Sequence, residues 1–452
     1  MRYAIIGAGL AGLVAAYEIR AQDPEAVIDV FEATDRIGGK LRTVAFEDGP
    51  TDMGAEAFLA VRKDAVDFFA GLGLAEHIRQ PSGLTSLIYA GGQLHPMPHA
   101  TVMGVPASAA AVGDLVSADT KARIDAEPTT DPIDWQVGGD TSLGELVTSR
   151  YGQEVTDRLV SALLGGVYSC LADDLGVRAT VPHLAQALDA LATAGEPVTL
   201  SAAVGKLLAA RPKPSGKAVF GAFDGGYAQL YEALAEQSGA AIHIDAFVSS
   251  LKTYLQDYDR ILVATPAPTA AVLLQEVAPA AATAAKQVEL ASSVVVGLKF
   301  DSDAGLPENS GVLVAADATD VRAKAFTFSS RKWPHLGARG GALVRVSFGR
   351  FGDTSMLQVA EDELVDTALD DLYTVTGFDG RAAGLSEIYV QPWYGGLPRY
   401  DERHGDIVAE VRAAIATVPN VEVAGAWVDG VGVPNVIAGA RAAARRLAES
   451  AT

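Results

Sequence analysis

The first 32 residues constrain this chain most. Tyr3 to Ile6 is a short apolar run that reads as a buried strand. Gly7-Ala8-Gly9-Leu10-Ala11-Gly12 follows at once, then an amphipathic helix to about Arg20. Val27 to Phe31 is a second apolar strand, closed by Glu32. Strand, glycine turn, helix, strand and acid, in that order, make a Rossmann βαβ unit. Gly7 permits the tight turn, Gly9 admits a pyrophosphate to the backbone, and Gly12 lets the helix pack close to the strands. The helix start offers unsatisfied N–H groups and a partial positive charge to phosphates. Glu32 is placed to accept a ribose hydroxyl. The fold class expected is therefore α/β, with a dinucleotide-binding domain at the N-terminus.

The residues after Glu32 separate one dinucleotide from another. They read Ala33-Thr34-Asp35-Arg36-Ile37-Gly38-Gly39-Lys40-Leu41-Arg42-Thr43. This resembles the FAD extension of the flavin amine oxidase and protoporphyrinogen oxidase superfamily. The resemblance continues through Asp52-Met53-Gly54-Ala55-Glu56-Ala57. It places Ala33, Arg36, Gly39, Lys40, Arg42, Gly54, Ala55, Glu56 and Ala57 near the cofactor, with Arg36 set to neutralise phosphate. At the other end, Val421 to Ala424 reads as a strand, and Gly425-Ala426-Trp427-Val428-Asp429-Gly430-Val431-Gly432-Val433-Pro434 as a glycine loop. An alanine-rich helix follows from about Val436 to Glu449. In the superfamily such a segment covers the flavin, so Val431, Gly432 and Val433 join the expected contacts, as do Val248 and Trp393. The FAD domain is then built from both chain ends.

Composition narrows the partners. Lys plus Arg number 35 and Asp plus Glu 56, a net charge of −21. A surface this acidic argues against sequence-independent nucleic-acid binding and against anionic lipid. A hydrophobic fraction of 49% excludes bulk disorder. The only cysteine is Cys170, so no internal disulfide forms. No signal peptide and no run of about 18 apolar residues is evident, so stable membrane insertion is not expected and a cytoplasmic location is.

The middle of the chain supplies the substrate side. Residues 1–60, 217–290 and 402–452 are expected to form the Rossmann-type FAD domain. Residues 61–94 and 291–401 are expected to form a mixed α+β substrate domain, and 95–216 a mainly helical domain. Arg211-Pro212-Lys213-Pro214-Ser215-Gly216 reads as a linker. Runs such as Ala342-Leu343-Val344-Arg345-Val346-Ser347-Phe348 alternate like antiparallel strands.

Further segments narrow the resemblance. Leu94-His95-Pro96-Met97-Pro98, Gly165-Gly166-Val167-Tyr168, Phe220-Gly221-Ala222-Phe223-Asp224-Gly225-Gly226 and Phe328-Ser329-Ser330-Arg331-Lys332-Trp333 occur in that order. Trp393-Tyr394-Gly395-Gly396-Leu397-Pro398-Arg399-Tyr400 closes the series. Together they resemble the protoporphyrinogen and coproporphyrinogen oxidases, most closely the coproporphyrinogen III oxidases of monoderm bacteria, over nearly the whole chain. Two departures stand out: Gly396-Leu397-Pro398-Arg399-Tyr400 replaces the usual Ala-Met-Pro-Gln-Tyr, and Asn435 stands where a Cys is usual.

The resemblance implies oxidation of a porphyrinogen to the aromatic porphyrin. A hydride passes from a meso carbon to flavin N5, with molecular oxygen as acceptor and hydrogen peroxide as product. The cofactor carries the chemistry, and no side chain is expected as catalytic acid or base. Coproporphyrinogen III carries four propionates, so Arg62, Lys63, Arg331 and Lys332 are candidate anchors, and Tyr394 a candidate hydrogen-bond donor. Protoporphyrinogen IX is the alternative substrate. A flavin amine oxidase and a non-catalytic porphyrin carrier are the competing classes, and a ferrochelatase is the family-level recipient of product.

Overall fold

The protein is described by a computed structural model covering residues 1–211, 216 and 218–449. Its contacts divide the chain into two units. One comprises Met1–Pro81, Lys217–Glu289 and Asp406–Thr452, and the other Ser82–Gly216 and Leu290–Gly405. Residues 212–215 of the expected linker, and the expected domain start at 217, lie outside the described residues.

The first unit is built on a five-stranded parallel sheet. Its order is Ala241–His243, Val27–Phe31, Arg2–Ile6, Arg260–Val263 and Val421–Val423. A parallel sheet is covered on both faces, and the central strand shows why its sequence is apolar throughout. Tyr3 and Ile5 enter one core, and Ala4 and Ile6 the opposite one. Helices Leu10–Gln22, Ala228–Ser238 and Val433–Glu449 cover the first face, and Ala267–Leu274 and Pro279–Ala285 the second. The closing helix is tied to the first by Glu18, which accepts from Arg441 Nε at 2.8 Å and Arg445 Nη2 at 2.8 Å. Both ends of the chain thus share one core.

Residues 61–81 also pack in this unit, not with the substrate region where the sequence placed them. The reason is aromatic burial. Helix Lys63–Gly71 inserts Phe68 and Phe69 into the first core. Phe69 lies 4.8 Å from Phe58 and 5.1 Å from Phe223, ring to ring. Such contacts between distant segments leave no mark in local periodicity.

The second unit carries a seven-stranded sheet. The order is Leu385–Pro398, Leu290–Phe300, Ala342–Phe348, Ala325–Phe328, Gly311–Val314, Leu87–Ala90 and Gln93–Pro96. All neighbours are antiparallel except Gly311–Val314 with Leu87–Ala90. Helix Glu361–Thr376 buries Leu364, Leu369 and Leu372 against one face. The helical stretch is present, with Leu143–Tyr151, Pro182–Ala194 and Leu200–Ala209 among its members, but it clusters with this sheet rather than standing as a third domain. Its helix starts are capped as the sequence allows: Ser117, Ser142 and Thr199 accept from the N–H groups of Thr120, Glu145 and Ala202. Glu127 is wholly buried and binds Arg150, the N–H groups of Leu200 and Ser201, and the Ser201 hydroxyl. Among the described residues, no helix is long and apolar enough to cross a membrane.

Candidate active site

The glycine turn joins the strand Arg2–Ile6 to the helix Leu10–Gln22. Gly9 occupies the position before the helix, and no side chain caps it. The first-turn N–H groups therefore point outward, as an anion site requires. Gly12 is forced by packing: a Cβ there would stand 1.9 Å from the Gly7 carbonyl oxygen. A Cβ on Gly9 would instead meet only Gly39 Cα, at an ordinary van der Waals distance of 3.7 Å. Ala8, Leu10 and Ala11 are buried around the turn.

Glu32 is held at the end of its strand. Its Oε2 accepts the Ala8 N–H at 2.9 Å, and its Oε1 accepts the Thr34 N–H at 2.9 Å and the Thr34 hydroxyl at 2.8 Å. Each carboxylate oxygen has two acceptor sites, so Oε2 keeps one beyond the Ala8 N–H. Ala33 is exposed beside it. The strand Ala241–His243 returns the chain to this point, where Ala246 N–H bonds the Glu32 carbonyl. Val248 follows and is buried in the second core.

The extension loop folds onto the turn. Gly38 N–H donates to the Ala8 carbonyl, and a Cβ on Gly39 would meet Gly9 Cα at 2.8 Å. Arg36 holds the loop by donating to the carbonyls of Ile37, Leu41 and Gly39 at 3.1, 3.1 and 2.7 Å. Burial, then the neighbouring Arg42 charge, lowers its proton affinity. Two guanidinium groups close enough to repel make a place for an anion. Lys40 is exposed as a residue, yet burial by surrounding protein and then Arg36 push its ammonium down to about 8.

Two further fastenings escaped the sequence reading. Asp52 accepts the Tyr227 N–H at 3.0 Å and the Thr43 hydroxyl at 2.6 Å. It thus anchors the helix Ala228–Ser238 to the hairpin Thr43–Asp52, just before Gly54, Ala55, Glu56 and Ala57, which are all partly accessible. In the closing loop a single helical turn, Ala426–Asp429, interrupts the expected glycine run. Asp429 Oδ2 accepts the Gly425 N–H at 2.9 Å, and Asn435 Nδ2 donates to the Val431 carbonyl at 3.1 Å. No atom lies within 4 Å of a Cβ built on Gly432, so the backbone there is open to a ligand, with Val433 buried behind it. An uncapped helix start, a carboxylate fixed at the end of its strand, neighbouring guanidinium groups and open glycine backbone fit FAD.

The expected propionate anchors fare differently. Arg62 forms a two-point pair with Asp64 at 2.9 and 2.7 Å and donates to Asn435 Oδ1 at 2.6 Å. Lys63 pairs with Asp67 on the exposed helix surface at 2.6 Å. Arg331 lies between Asp303 and Glu308, at 3.1 Å from each. All three already answer protein carboxylates. Their acids follow two or four residues on, or stand across a loop, which a basic pair in sequence does not reveal. Lys332 lies over the Trp333 ring, 5.2 Å from its centroid. Tyr394 is 70% exposed, in an irregularity of the strand Leu385–Pro398 where Ala291 pairs with Leu397 but Ser293 with Trp393. Trp393 is partly accessible, and His95 is held at the Ala90 carbonyl at 3.2 Å. A basic residue passed over in the sequence, Arg345, lies near the middle of the sheet. Its signal was the alternation Leu343, Arg345, Ser347, which puts a cation on one face.

These features define a flavin-dependent oxidoreductase, and the comparisons agree. The family of flavin containing amine oxidoreductases matches residues 10–448, and the chain belongs to it. Within that family it is similar over its whole length to coproporphyrinogen III oxidases. It is 41% identical over 460 residues to that of Mycobacterium bovis, covering 99% of this chain and 97% of the relative. It is 28% identical over 473 residues to that of Bacillus subtilis, covering 97% and 96%. A crystal structure from Exiguobacterium sp. 255-15, assigned as a protoporphyrinogen oxidase, shares the fold with a TM-score of 0.84 at 24% identity, covering 99% and 98%. Cyclohexylamine oxidase from Brevibacterium oxydans shares it with a TM-score of 0.69 at 15% identity, covering 99% and 98%.

Proposed function

We propose that this chain oxidises coproporphyrinogen III to coproporphyrin III, with molecular oxygen as acceptor and hydrogen peroxide as product. The reaction belongs to the coproporphyrin-dependent branch of haem biosynthesis, and its product passes to a ferrochelatase. The observation that carries this reading is the 41% identity, end to end, with oxidases of that name. Protoporphyrinogen IX, with two propionates fewer, is the alternative substrate. A resemblance at 23% identity to protoporphyrinogen oxidase 2 of Arabidopsis thaliana keeps that alternative in view.

FAD, when bound, supplies the hydride acceptor. The chain's own residues bind and orient. The Gly9–Gly12 turn and the start of its helix take the pyrophosphate, Glu32 takes the ribose, and Arg36 with Arg42 offsets phosphate charge. Asp52 and Asn435 keep the hairpin and closing loop in register with that site. The test delivers chemically reduced coproporphyrinogen III to the FAD-loaded protein in air. Porphyrin fluorescence rising above the uncatalysed rate, with peroxide released alongside, supports the proposal. A flavin-replete protein that leaves the uncatalysed rate unchanged refutes it.

A further inference from the structure

The glycine loop that leads into the closing helix is pinned from its inner side by one side chain. Gly430 and Gly432 adopt φ of +112° and +107°, outside any regular element, so the shape of the loop depends on what it is bonded to. Asn435, in the first turn of the helix Val433–Glu449, supplies such bonds. Its backbone N–H meets the Gly432 carbonyl at 3.1 Å, and its Nδ2 donates to the Val431 carbonyl at 3.1 Å. A Cβ on Gly430 would stand 3.0 Å from that Nδ2, so the amide fills the inside of the turn.

The other end of the amide faces Arg62. Nη1 of Arg62 donates to Asn435 Oδ1 at 2.6 Å, while its Nε and Nη2 grip Asp64 at 2.9 and 2.7 Å. Arg62 immediately precedes the helix Lys63–Gly71, but its side chain makes no cap there and reaches to Asn435 instead. A guanidinium only donates and a carbonyl only accepts. The Asn435 amide is therefore held one way round. Turned over, it would set an N–H against Arg62 and an oxygen against the Val431 carbonyl. Asp64, Arg62, Asn435 and Val431 form one relay inside the first unit, from the start of one helix to the loop before another.

The relay ends on backbone that is open to a ligand. Gly432 is exposed, and no atom lies within 4 Å of a Cβ built on it. A ligand that meets such a backbone binds more tightly when the loop is already ordered, because the cost of ordering it is then not charged to binding. We propose that Arg62 is a positioning residue for FAD: through Asn435 it holds the Val431–Gly432 backbone in the conformation that the cofactor meets. This role concerns the cofactor and is independent of which porphyrinogen is oxidised. It also differs from propionate anchoring, since each nitrogen of the Arg62 guanidinium already donates within the protein.

The test removes each link and titrates the apoprotein with FAD, read by quenching of flavin fluorescence. Melting of the apoprotein is the control, and visible circular dichroism of the bound flavin reports how its ring is held. Arg62→Met and Asn435→Ala should each raise the FAD dissociation constant by about 5- to 10-fold, and the double variant should raise it no further. Asn435→Asp keeps an acceptor for Arg62 but has no N–H for Val431, so it should lose as much as Asn435→Ala. Arg62→Lys keeps a single donor for Asn435 and should recover part of the loss; it carries the comparison if Arg62→Met does not fold. Flavin dichroism should change in the variants that lose affinity. Variants that melt lower yet bind FAD with wild-type affinity and dichroism reduce the relay to a fastening between two helices and overturn the assignment. A double variant whose losses add also overturns it. So does unchanged FAD affinity with a raised KM for coproporphyrinogen III, which returns Arg62 to the substrate.

Discussion

Replacing Glu32 by Gln isolates the ribose end of the flavin site. Both oxygens of Glu32 are acceptors for backbone N–H groups, Oε2 for Ala8 and Oε1 for Thr34, each at 2.9 Å. An amide offers one acceptor oxygen and one NH2 group that only donates. Whichever way it turns, either Ala8 or Thr34 faces an N–H instead of an oxygen. That lost bond should cost the apoprotein about 1–3 kcal/mol. A charge-assisted bond to a ribose hydroxyl also becomes a neutral one of about half the strength, another ~1 kcal/mol felt only with FAD bound. Thermal melting of the apoprotein reads the first loss. Titration of apoprotein with FAD, followed by quenching of flavin fluorescence, reads the second as an increase of about 5- to 10-fold in dissociation constant. An apoprotein that melts lower but binds FAD with unchanged affinity would remove the ribose from Glu32. Unchanged melting and unchanged affinity would refute the geometry as well.

Three other outcomes follow from the packing. Glu18→Ala should destabilise the protein by about 1–3 kcal/mol at neutral pH, since it breaks a carboxylate shared by two partly exposed arginines. Burial pushes that carboxyl up, but Arg441 and Arg445 bring it below its usual 4.5, so the gap between variant and wild type should shrink as pH falls through that range in denaturant titrations. Lys324 is pushed down to about 7 by burial and then Arg350. The unfolded chain then binds more protons between about 7 and 10.5, so wild-type stability relative to Lys324→Met should rise with pH across that window, and a flat difference would contradict the burial. Cys170 is buried, with its thiol pushed up to about 12 by burial and then Asp174. A thiol reagent should find no reactive group in the native protein and one after denaturation.

The flavin half of the protein was legible because its signals are local. Gly7, Gly9, Gly12 and Glu32 lie within one βαβ unit, where spacing alone sets the turn, the helix start and the strand end on which each residue falls. The substrate half was not, for three physical reasons. Whether Arg62 or Arg331 meets a substrate depends on acids that fold against it, and Asn435, which binds Arg62, lies at the far end of the chain. Residues 61–81 join the first unit through Phe68 and Phe69, and the ring partners of Phe69, Phe58 and Phe223, belong to separate segments. Tyr394 lies in the strand Leu385–Pro398, yet the register shift, which no sequence pattern marks, leaves it outside the regular ladder. Arg345 could be read as facing away from the core from its alternation with Val344 and Val346, but its neighbours Gly297 and Thr327 are set by strand order.

The most direct measurement is the ratio of kcat/KM for coproporphyrinogen III to that for protoporphyrinogen IX, taken with the same FAD-loaded preparation in air and corrected for uncatalysed oxidation. The full-length identity with coproporphyrinogen III oxidases predicts a preference of about 10-fold or more for coproporphyrinogen III. A ratio at or below unity contradicts the account of the substrate, although the flavin site would stand.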